Sequence, residues 1–183
     1  MQELWTIQDW QNAYQQQQIQ LQDLIDYVAS FQNDDHVWIS IASAEQLQAQ
    51  IDALTGKSPA ELPLYGIPFA VKDNIDVVGF ATTAGCKVLH DMAQEDAETV
   101  RLLKQAGAIV VGKTNLDQFA TGLVGTRSPF GAVPNSFNSE YVSGGSSSGS
   151  ASVVARSSFW ILLIRLYKAR TPISSMVHSI SFA

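Results

Sequence analysis

Apolar residues recur at three- and four-residue spacing through Leu21, Leu24, Ile25 and Val28, which predicts a helix with one buried face. The run Gln15-Gln16-Gln17-Gln18, preceded by Trp5, Trp10 and Tyr14, is expected on the solvated side of that same helix, because glutamine is a fair helix former. His36 to Ile41 reads as a short buried strand. Ser43 with Gln46 three residues later predicts a capping box that opens a helix through Leu47, Ile51 and Leu54. A loop over 56–63 follows, then a strand from Leu64 to Val71 with Lys72 at its end. Asp96 is expected to start a helix with Val100, Leu103 and Ala106 on one face, closed by Gly107. Ala108 to Val111 is a continuous apolar run, as in a strand buried on both faces. Helix and strand alternate, so the fold class is α/β around a central sheet.

Composition narrows the functional classes. The chain has 183 residues, 46% apolar and 15% charged, enough for one domain with a buried core. Its net charge of −6 gives no cationic footprint for nucleic acid or anionic lipid. No apolar run is long enough to span a bilayer, and no basic segment opens the chain. The single cysteine, Cys86, cannot form an intrachain disulfide, so a cytoplasmic location is expected.

Charge is unevenly distributed. All 17 acidic residues lie within 1–156 against 8 basic ones, whereas 157–183 holds 3 basic residues and no acid. All 12 glycines also lie at or before Gly149. Residues 157–183 therefore differ in composition from everything before them.

Two motif matches fail on context. Gly107-Ala-Ile-Val-Val-Gly112-Lys113-Thr114 fits the phosphate-binding pattern G-x-x-x-x-G-K-[ST] letter for letter. Its four middle residues favour a strand over an open loop that could cradle phosphate, and the segment before it is helical. Gly145-Ser146-Ser147-Ser148-Gly149 fits the G-x-S-x-G nucleophile elbow. That fold needs an acid and then a histidine after the serine, and only His178 follows. Taken alone, the Gly/Ser run also fits a linker, and Lys72 a solvated surface charge.

Three separated stretches taken in order say more. Pro63-Leu-Tyr-Gly-Ile-Pro-Phe-Ala-Val-Lys72-Asp-Asn-Ile-Asp76 is followed by Ala106-Gly-Ala to Gly112-Lys-Thr-Asn-Leu-Asp-Gln-Phe-Ala120. Ser143-Gly-Gly-Ser-Ser-Ser-Gly-Ser-Ala151 completes the series. Together they resemble the amidase signature family. Phe119 to Gly131, and Ser148 where most members show glycine, are similar to the allophanate hydrolases within it.

The resemblance implies a central mixed sheet flanked by helices, of which this chain is the N-terminal part, truncated. It implies amide hydrolysis, of allophanate to ammonia and carbon dioxide, through a Ser–cis-Ser–Lys triad with neither metal nor cofactor. Lys72 would be the base, kept neutral by burial. Ser146, on a cis peptide, would be the bridging serine, with Gly144, Gly145, Ser147 and Ser148 as its supporting loop. The implied partner is a small amide, with homo-oligomers open for the intact family. Residues 1–62 would be an N-terminal helical segment of the same domain, 63–156 an incomplete core and 157–183 a tail foreign to the family.

The family's nucleophile belongs about 24 residues after the bridging serine. That place is Arg170, in Leu166-Tyr-Lys-Ala-Arg-Thr-Pro172, without a serine in register. Ser174 and Ser175 are the nearest stand-ins. The tail reads as translation of another frame, or as an amphipathic membrane-touching segment, since Arg165, Lys168 and Arg170 follow the apolar run Phe159 to Ile164. The chain is expected to lack activity, and strands near Phe69 and Ile109 are expected to lose covering neighbours. Another amidase of the family and a non-enzymatic product are the alternatives.

Overall fold

The structure, a computed structural model, describes residues 5–31 and 35–156, and the backbone of 160–162. Two short helices open it, α1 (Ile7–Gln15) and α2 (Asp23–Ala29). Thr6 caps α1 by accepting from Asp9 N–H while the Asp9 carboxylate accepts from Thr6 N–H. The glutamine run does not lie on the helix that carries Leu24 and Val28. It ends α1 and forms the turn, where Gln17 takes φ 56° and so breaks the helical path.

Strand β1 (Trp38–Ile41) leads to α3 (Ala44–Asp52), opened by the Ser43/Gln46 capping box. Strand β2 (Pro68–Lys72) is shorter than the hydrophobic pattern suggests. Leu64 to Ile67 turn instead, because Gly66 sits at φ 67° with the Tyr14 ring packed where a side chain would be. The two-residue strands β3 (Ala81–Thr82) and β4 (Asp91–Met92) form a small antiparallel ribbon. Helix α4 (Glu98–Gln105) starts two residues after Asp96, whose carboxylate is occupied by Val78 N–H and the Lys104 ammonium. Gly107, at φ 99°, closes α4 and turns the chain into β5 (Ile109–Thr114). Helix α5 (Ser148–Arg156) and β6 (Trp160–Leu162) complete the described residues.

The main sheet is mixed, in the order β1-β5-β2-β6. β1 runs antiparallel to β5, and β5–β2 and β2–β6 are parallel pairs. The stretch before residue 63 thus supplies a strand as well as helices. β2 lies between β5 and β6, and β5 between β1 and β2, with β1 paired along Gly112 to Thr114 and Ile109 paired on the β2 side. The remainder of 157–183, including Arg170, Ser174 and Ser175, lies outside the described residues.

Trp10, Leu24 and Leu47 from the helices pack with Ile67, which precedes β2, and with Val71, Val110 and Val111 from the strands in one core. β2 and β5 are buried along their whole length. This burial explains why the phosphate-loop match carries no phosphate chemistry. Gly112, Lys113 and Thr114 are paired strand residues without exposed loop amides.

The register sorts the two lysines. Val71 pairs with Lys113 and Lys72 with Thr114, so the alternation of strand side chains puts Lys72 and Lys113 on opposite faces of the sheet.

Candidate active site

Lys72 ends β2, where the strand gives way to a turn and its side chain reaches out of the sheet toward α5. Its residue surface is only 9% exposed, so it is no surface charge. The Nζ donates to Ser146 Oγ and to Ser147 Oγ, each at 2.8 Å. Burial pushes the Lys72 amine below the ordinary lysine range, and the negative charge of Asp117 opposes that shift in part. An amine shifted in this way can hold the neutral form that a base needs.

The serine loop is built from its glycines outward. Gly144 lies at φ 76°, a conformation that favours glycine, and the space beside its α-carbon is open. The Gly145–Ser146 peptide is cis. Gly145 is pressed against the Asp117 carboxylate with no room for a side chain. Ser147 O accepts from Ala151 N–H at 3.0 Å, joining the loop to the first turn of α5. Ser148, the first residue of α5, is 1% exposed, and its Oγ has no hydrogen-bond partner among the described residues.

The structure therefore brings Lys72 together with Ser146 and Ser147, on the loop that also holds Gly144, Gly145 and Ser148. Arg170 is the exception, lying outside the described residues. The arrangement can pass a proton between a buried amine and a hydroxyl held at hydrogen-bond distance.

Sequence reasoning gives no role to three residues that touch this loop, Thr114, Asn115 and Asp117. Thr114 Oγ and Ser150 Oγ share a hydrogen bond of 2.7 Å. Gly149 N–H donates to Asn115 O, and Asp117 N–H donates to Ser146 O, both at 3.0 Å. The signal that could have found them is the stretch Gly112-Lys-Thr-Asn-Leu-Asp117, whose likeness to the family assigns nothing to its individual side chains.

No group of three or more histidine, cysteine or acidic side chains able to hold a metal occurs among the described residues. Nor is any helix among them long and apolar enough to cross a membrane.

Comparison with known proteins bears on this geometry. Residues 21–161 match the family model described as Amidase. The chain is 53% identical over 157 residues to the urea amidolyase of Saccharomyces cerevisiae, covering 83% of this chain and 9% of the relative. It is 44% identical over 133 residues to a glutamyl-tRNA(Gln) amidotransferase subunit of Lachnoclostridium phytofermentans, covering 70% of this chain and 27% of the relative. Among solved structures, an allophanate hydrolase of Kluyveromyces lactis superposes with a TM-score of 0.80 at 48% identity. That match covers 87% of this chain and 27% of the solved one. The chain thus spans from about a tenth to about a quarter of these proteins.

Proposed function

The chain belongs to the amidase family, and we propose from that premise that it carries the base-and-relay half of an allophanate-hydrolysing site. The observation that carries this reading is the 2.8 Å hydrogen bond from Lys72 Nζ to Ser146 Oγ beside a cis Gly145–Ser146 peptide. Lys72 takes a proton from Ser146, and Ser146 takes one from a nucleophilic serine as that serine attacks the amide carbonyl. The proton then returns along the same path to the leaving nitrogen. Ser147 holds the Lys72 amine in line with the relay. Ammonia leaves, and water releases the acyl group from the nucleophile.

By the family resemblance the nucleophile would fall at Arg170, where no serine stands in register, and its neighbouring amides would stabilise the oxyanion. On its own the 183-residue chain is therefore expected to release ammonia from allophanate no faster than its Lys72→Ala variant. Ammonia release that disappears in Lys72→Ala would contradict this and direct attention to Ser174 and Ser175.

The substrate is tested in a chimera in which residues 157–183 are replaced by the corresponding region of the S. cerevisiae urea amidolyase. Hydrolysis of allophanate in preference to glutamine and simple aliphatic amides supports the reading. A second reading, an amidase acting on another amide, is favoured by the 44% identity to an amidotransferase. Preference for glutamine in the same assay would establish it.

A further inference from the structure

The stretch Gly112-Lys113-Thr114-Asn115-Leu116-Asp117 imitates a phosphate-binding loop in its first three residues and takes no part in the Lys72–Ser146 contact. It runs instead alongside the serine loop. Thr114 meets Ser150, Asn115 meets Gly149, and Asp117 meets Ser146, so that residues advancing along one segment bind residues receding along the other.

Asp117 does more than its neighbours. It is fully buried. Its Oδ2 accepts from Gly125 N–H at 3.0 Å and its Oδ1 from Arg127 N–H at 2.9 Å. Its own N–H donates to Ser146 O. A methyl group added at Gly145 or at Gly122 would collide with the Asp117 side chain. The carboxylate thus lies flat against the turn that immediately precedes Ser146.

We propose that Asp117 is the positioning residue of this site: it ties the 122–127 loop to the turn that presents Ser146, and so holds a carboxylate against the residue preceding the hydroxyl that the Lys72 amine contacts. Resting on the assignment of Lys72 as the base, this adds a control on how much of that base is neutral. Burial favours the neutral amine and the Asp117 carboxylate favours the ammonium, so the two set the balance between them.

The other charges close to Lys72 in the chain are engaged elsewhere. Asp73 Oδ2 accepts from Thr83 N–H and Oγ, and Asp73 faces Lys113 across the buried side of the sheet. Asp76 also acts on Lys113. On α5, which packs against β2, the charged residue is Arg156, and it pairs with Asp35.

The test needs no turnover. The whole 183-residue chain is labelled with acetic anhydride across a pH series, and acetylation of Lys72 is read by peptide mass spectrometry with exposed Lys57 as reference. Asp117→Asn is expected to move the Lys72 midpoint to lower pH and to speed its labelling several-fold near neutral pH. The Lys57 curve is expected not to move. An Asn variant whose Lys72 midpoint is unchanged overturns the proposal. So does a midpoint that rises to match Lys57, because Asp117 would then be holding the fold at large. The base assignment fails separately, if the chimera keeps its activity without Lys72.

Discussion

Lys72 Nζ and Ser146 Oγ, 74 residues apart in the chain, meet at 2.8 Å. The strand end and the loop that bring them together come from different parts of the fold. β2 fixes the lysine backbone through its pairing with β5, and β5 in turn continues into the segment that grips the serine loop. One buried strand pair therefore supports both partners.

That burial makes stability depend on alkaline pH. Desolvation lowers the Lys72 amine and, on the opposite face of the sheet, the Lys113 amine below the ordinary lysine range. Between their folded values and about 10.4, the unfolded chain holds more protons than the folded one, so stability rises with pH through that window. Below it both lysines are charged in both states and the desolvation penalty is fully present. Urea midpoints measured across the alkaline range below about pH 10, where the unfolded tyrosines begin to ionise, are expected to climb, and Lys113→Met is expected to flatten the climb. A flat profile in the unsubstituted chain would mean that neither amine is shifted.

Gln50 closes the part of β5 that β1 leaves open. Its side-chain amide accepts from Val110 N–H at 2.8 Å and donates to Val110 O at 3.0 Å, as a neighbouring strand would. Gln50→Leu is expected to cost about 1–3 kcal/mol, the range for leaving a buried backbone group unpaired. Urea denaturation of the variant checks it.

Gly149 sits where α5 crosses the end of β5. A methyl group there would stand 2.5 Å from Val37 O and 2.6 Å from Asn115 N, both rigid backbone atoms. Gly149→Ala is therefore expected to destabilise the chain by ~1–3 kcal/mol or more through overpacking. Thermal unfolding of the variant measures the loss, and an unchanged transition would show that α5 can move away freely.

Local signals carried much of the fold. The Ser43/Gln46 box and the closing Gly107 act within a few residues, and both stand where their chemistry puts them. Where distant contacts decide, local spacing falls short. Helical spacing did not reveal that Gln17 turns the chain, and the apolar run from Leu64 did not reveal that the Tyr14 ring occupies the space beside Gly66.

The site was legible only in part for the same reason. A lone lysine at a strand end has no sequence feature that marks its burial, so only the family resemblance marks Lys72 and Ser146. Asp117 lies in a stretch that resembles the family, but nothing local gives its side chain a role. Its partners, Gly125, Arg127 and the Ser146 turn, are joined only in the folded chain.

The most direct measurement is ammonia release from allophanate by the chimera that carries the S. cerevisiae urea amidolyase region after residue 156, with Lys72→Ala and Ser146→Ala compared one at a time. If the lysine and serine form one proton relay, each substitution lowers kcat by about a hundredfold to ten-thousandfold, the usual contribution of a positioned acid–base group. The double variant then falls little further than either single one, because residues acting as a unit are not additive. Activity within a few-fold of the unsubstituted chimera in either single variant would contradict the relay.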